Sequence, residues 1–133
     1  MCEFYKLIYM ITTTIIGFGG IILGALFSYW VQRVYSNRQE KFEVIKLLIA
    51  DRNKMSASGE WVRAFNTVRL LFRNNEEINK SHLAFCELTK LKDFNHDDAK
   101  DILYKMIIEM LNSIGIKGVI MDDMKSFYGP SGK

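Results

Sequence analysis

Cysteine is scarce in this chain. The only two, Cys2 and Cys86, are too few for a disulfide scaffold or a Cys-based zinc site. No lipobox precedes Cys2, which reads as an unmodified residue. A basic stripe is also missing: the net charge is only +3 and acids alternate with bases, so no dedicated nucleic-acid surface is expected. There are no internal repeats and no long linker. The most informative absence is that of charge from residues 7–32, a run bounded by Lys6 and Arg33.

That run is roughly 39 Å long as a helix at 1.5 Å per residue, enough to cross a hydrocarbon core of about 30 Å with some tilt. A cleaved signal peptide is disfavoured, because the stretch is too long for an h-region. No small-x-small site follows it before Tyr29, Trp30 and Arg33. Phe4 and Tyr5 at one end, and Tyr29 and Trp30 at the other, suit the membrane interfaces. Lys6 stands alone before the run, whereas Arg33, Arg38, Lys41 and Lys46 follow it. The positive-inside rule therefore puts the N-terminus outside and the rest in the cytosol of a bacterial inner membrane, with Cys2 and Cys86 on opposite sides. Within the span, Thr13, Gly17, Gly20, Gly24 and Ser28 form one stripe at spacings of three and four. Small residues so placed let two helix backbones approach closely, and the stripe predicts a homo-oligomer. The span contains no ionisable residue, so no proton relay or charged ion path is expected.

The division is thus a transmembrane anchor over residues 1–32 and a small helical domain over 33–133, mainly α throughout. Four helices are expected in the second part. The first continues from the span and turns Val34, Phe42, Ile45, Leu48 and Ile49 inward. The second follows a Ser-rich break, with Ser58 as N-cap, and buries Trp61, Phe65, Val68 and Phe72 before Asn74 and Asn75 stop it. The third covers residues 76–91 and turns Ile78, His82, Phe85 and Leu88 inward. The fourth starts on Asp97 or Asp98 as cap and carries Leu103, Met106, Ile107, Met110 and Ile114 to a Gly115 stop. Asp101, Lys105 and Glu109 form an i,i+4 ladder on its solvent side. Residues 118–121 are a short apolar run of irregular or β-like character, followed by a turn at Asp122-Asp123 and a Phe127-to-Pro130 tail.

Catalytic patterns fail one by one. His96, Asp97 and Asp98 are consecutive, so their side chains do not converge on a metal, and a helix cap accounts for the aspartates. Gly132-Lys133 lacks the glycine, hydroxyl residue and helix of a phosphate loop. His82 lies on an apolar face, as a core histidine does, and Cys86 is assigned as a buried inert thiol with no local base. No paired carboxylates are present for acid/base work, so no enzyme, cofactor or metal is expected.

One segment is unusual. Lys46, Arg52, Lys54, Arg63, Arg69 and Arg73 face only Asp51 and Glu60 as acids. Two readings stay open. The segment is either a solvated surface near an anionic leaflet, where each cation contributes about 1 kcal/mol, or a pocket of Arg52, Asn66 and Arg69 for a small anionic ligand or acidic protein partner.

Ala50-Asp51-Arg52, Ser58, residues 62–68 (VRAFNTV) and Phe72 together resemble the core motif of an uncharacterised bacterial family. Its members are small proteins with one N-terminal membrane helix and a helical cytosolic domain. They show a Thr-Arg pair, a Ser at the next helix start and an Ala-Leu-Asn-x-Ile core. Residues 104–110 and 128–132 are similar to the family's ending, whereas His82 stands where an aromatic is usual. The likeness covers residues 33–133 and implies architecture and a bacterial or phage-related source, but no activity. By analogy, the expected role is a non-enzymatic membrane effector or accessory subunit of a bacterial stress or antiphage system, with a ligand- or partner-sensing domain. The alternative is a passive anchor holding a soluble partner at the membrane.

Overall fold

A computed structural model describes residues 1–52 and 59–126. Five helices follow in order: α1 (Cys2–Ala50), α2 (Gly59–Leu71), α3 (Glu76–Thr89), α4 (His96–Ser113) and α5 (Met121–Ser126), with no strand among the described residues. The chain is mainly α, as its periodicities require. It divides into two compact units, Met1–Arg38 and Gln39–Lys133. The expected Ser58 cap, Lys54 and the Phe127-to-Pro130 tail with Gly132-Lys133 lie outside the described residues.

In the first unit α1 buries nothing within the chain. Ile16, Ile21 and Leu23 are each about 70% exposed, and the other large side chains of the uncharged run are also open. Thr12, Thr13 and Thr14 turn their hydroxyls back onto the carbonyls of Ile8, Tyr9 and Met10 at 2.7–2.8 Å. These three hydroxyls are thus satisfied within the helix, as a lipid surrounding would demand.

The second unit is a helical core. Ile45 and Leu48 from the end of α1 join Trp61, Phe65 and Val68 of α2, Ile78 and Phe85 of α3, and the Leu103–Met106–Ile107–Met110 face of α4. The spacing of three and four that marks these positions in the sequence is the spacing that puts them on one side of each helix. Phe42 departs from expectation and remains exposed, since in this unit the core side of α1 is Ile45 and Leu48; Val34, which falls in the first unit, is exposed as well. Lys46 lies 5.7 Å from the centroid of the Phe42 ring and partly screens it.

The corners between helices are built from asparagine and glycine. Asn75 caps α3 by accepting the Ile78 amide at 3.1 Å, and Asn79 donates its amide to the carbonyls of Phe72 and Arg73 past the end of α2. The stop after α2 is therefore also the start of α3. The cap of α4 is Asn95, not Asp97 or Asp98: its side chain accepts the Asp97 amide at 3.0 Å. The two aspartates fall in the first turn, where they complement the helix dipole. α4 ends in a Schellman closure, with Ile116 N–H on the Leu111 carbonyl and Gly115 N–H on the Asn112 carbonyl. Gly115 adopts φ +90°, a conformation that an L side chain resists.

Two further expectations are corrected. Residues 118–121 form no β-like element. Met121 opens α5, and the Asp123 carboxylate reaches back to the Ile120 amide at 2.9 Å, half of a capping box. Asp101 pairs with Lys125 of α5 at 3.2 Å rather than with the next turn of its own helix.

Candidate functional site

The sequence nominates two groups of residues, and both can be placed. The stripe residues Thr13, Gly17, Gly20, Gly24 and Ser28 are exposed along α1. A Cβ built at Gly17, Gly20 or Gly24 meets nothing within 4 Å, so no part of the chain fills the stripe.

Of the second group, Asn66 and Arg69 lie one turn apart on the exposed flank of α2. Arg52 has a different surrounding. It is buried just beyond α1 and donates from Nη1 to the Ile49 carbonyl at 3.2 Å, closing that helix end. A guanidinium suits this place, since a cation complements the C-terminal end of the dipole and its planar donors reach carbonyls that a single amine would miss.

His82 is a buried titratable group of the domain. Its ring stacks on Phe65 at 4.2 Å between centroids, and its Nε2 lies 3.1 Å from the Phe65 carbonyl. A carbonyl only accepts, so Nε2 carries the proton and the neutral ring presents Nδ1 as its lone pair. Burial is the main influence on its basicity and lowers the pKa below the ordinary value, the Phe65 bond opposes this, and the Arg69 charge lowers it further.

Nδ1 faces Cys86 Sγ at 3.8 Å. Cys86 therefore does have a local base, four residues earlier on the same helix face, and it is only partly buried. The i,i+4 spacing of His82 and Cys86 is the signal in the sequence that marks this pair.

Between the last turns of α1 and the first turns of α2 runs an open groove of about 590 Å³. Val44, Leu47 and Ala64 form its floor, with Glu60 and Arg63 at its side. Arg52, Asn66 and Arg69 do not line it. No group of three or more His, Cys, Asp or Glu side chains converges on a point among the described residues. His96 meets the Phe94 ring at a tilt of 56°, with centroids 4.7 Å apart, beside the α4 cap.

These features define a small, mainly helical protein that has, among the described residues, one helix long and apolar enough to cross a membrane. The chain belongs to DUF6680, a family of unknown function, which matches residues 6–133. No curated protein and no solved structure matches it.

Proposed function

We propose that this is a non-enzymatic single-pass membrane protein that self-associates through α1 and acts as an effector or accessory subunit, in a bacterial stress or antiphage setting. Its N-terminus lies outside the inner membrane, and its helical domain meets a protein partner or small anionic ligand in the cytosol. The observation that carries the reading is the uncharged face of α1 from residue 7 to 32, exposed all round in the chain itself. A helix apolar on every side has no place in water, and here the chain offers it no cover. The open glycine stripe supports association with a second copy, because a smooth groove gains van der Waals contact only when another helix enters it.

The chain should stay with membranes through alkaline carbonate extraction, and release into the supernatant refutes the span. Gly20→Leu with Gly24→Leu should shift native mass toward monomer while insertion is unchanged, because added bulk separates the helices without lowering hydrophobicity. An unchanged oligomer removes the stripe from the account. Permeability of the host membrane that changes when partner or ligand is supplied supports an effector. Unaltered permeability with a co-purifying partner assigns a passive anchor instead.

A further inference from the structure

We infer that the outer face of α2 is a second, peripheral membrane contact that docks on the headgroups of anionic phospholipids. The inference rests on the membrane reading above and adds a surface to it.

At 3.6 residues per turn, Arg69, Val62, Asn66, Leu70 and Arg63 fall within one arc of about 120°, and Arg73 follows in the turn after α2. Every one of them is exposed, Leu70 at 76% and Val62 at 37%. The opposite arc holds Trp61, Ala64, Phe65 and Val68 in the core, so the orientation of the helix is fixed. No acid interrupts the outer arc; Glu60 falls outside it.

Some exposed lysines of the domain are neutralised nearby, Lys46 by Glu43, Lys80 by Glu76 and Glu77, and Lys125 by Asp101, whereas among the described residues Lys90, Lys92, Lys105 and Lys117 enter no ion pair. Among the described residues, none of Arg63, Arg69 and Arg73 enters an ion pair. Three guanidiniums left without carboxylates, two on the face of α2 and one in the turn after it, are complementary to phosphate.

The apolar members of the arc select the source of that phosphate. Leu70 and Val62 stand between the arginines, where a headgroup boundary accepts apolar side chains beside basic ones. A nucleic-acid strand would call for aromatic rings to stack its bases, and the arc has none. A bilayer is also within reach. Lys41 lies 5.2 Å from the Phe72 ring at the end of α2, and it follows Gln32 by nine residues, at most about 30 Å of chain by any path.

The test uses the full chain with Cys2→Ser and Cys86→Ala, an environment-sensitive dye on Leu70→Cys, and a control dye on Glu87→Cys of α3. It is reconstituted into vesicles of phosphatidylcholine alone or mixed with phosphatidylglycerol. In the anionic vesicles the Leu70 dye should shift to the blue and resist acrylamide quenching, while the Glu87 dye stays accessible. Raised salt should reverse the shielding. Changing Arg63, Arg69 and Arg73 to Gln should lower the docked-to-undocked ratio about fivefold per arginine, and changing all three to Lys should keep most of it, since leaflet attraction counts charge.

Equal quenching at Leu70 in both lipids overturns the inference, as does shielding indifferent to the glutamine changes. Shielding that appears in neutral vesicles only on adding an RNA oligonucleotide overturns it too and makes the face a nucleic-acid surface. Carbonate extraction separates the two readings. A chain that resists extraction but leaves Leu70 wet refutes the docking alone, and a chain that is extracted refutes the span.

Discussion

Phe65 is the residue whose truncation most sharply tests the packing of the domain. It is 6% exposed and sits among three rings: Trp61 stacked at 5.0 Å, His82 stacked at 4.2 Å and Phe85 tilted at 4.9 Å. Phe→Ala in a core costs about 3–5 kcal/mol in lost transfer energy and cavity. Aromatic pairs contribute roughly 0.5–1.5 kcal/mol each beyond area, so the upper end of that range applies here. A small domain has about 5–15 kcal/mol in all, and the variant should be marginal or unfolded at room temperature. Phe65→Leu keeps most of the volume and loses the stacking, and should cost about 1–3 kcal/mol. The assay is urea unfolding of the full chain in detergent, followed by Trp61 emission in a Trp30→Phe background; Trp30 is 61% exposed and contributes nothing to the core. Wild-type midpoints for both variants would refute the reasoning, because they would mean that α2 does not present this face to α3. The ordering matters as much as the size: Ala must cost more than Leu.

Two shorter predictions follow from the same region and from the end of α1. Burial and Arg69 hold the His82 pKa below 6.5 against the opposing Phe65 bond, so the native chain binds fewer protons there than the unfolded one. Its stability should hold above pH 6.5 and fall as pH drops through the lowered native value, and His82→Gln should flatten the urea midpoint over that window; an unchanged slope refutes the assignment. Arg52→Ala strips a charge-assisted hydrogen bond from the Ile49 carbonyl and should lower unfolding free energy by about 1.5–3 kcal/mol. An unaltered midpoint in denaturant would show that Arg52 does not hold the helix end.

The parts of this molecule that local pattern controls are legible in its sequence. The uncharged run, the Trp61–Phe65–Val68–Phe72 face and the Leu103-to-Met110 face all follow from the helical period, and each appears where the period puts it. Parts decided by competition among neighbours are not. Asn95, Asp97 and Asp98 are all competent caps within four residues, and the structure uses Asn95. Contacts between distant elements are hidden as well: Asp101 meets Lys125 and His82 meets the Phe65 carbonyl because tertiary packing brings them together. Residues 118–121 read as β-like because the run is short and apolar; Gly118 at φ +88° and the back-reaching Asp123 instead direct the chain into a helix. At the candidate site, the exposed arc of α2 is legible from spacing. The burial of Arg52 is not, since nothing local marks a cation that turns back onto its own helix.

The last turns of α1 bear on how the domain can be separated from the apolar run that precedes it. Ile45 and Leu48 are fully buried members of the core, yet they belong to the same helix as the apolar run. A protease cutting before Gln39 leaves both of them attached to the domain and would shed it with its interior whole. A cut after Leu48 removes two large aliphatic side chains from that interior, each worth about 2–5 kcal/mol, and would dismantle the domain as it freed it. The boundary between shedding and destruction therefore lies within a few turns of one helix. Any processing enzyme that acts on this stretch decides the fate of the domain by which turn it chooses.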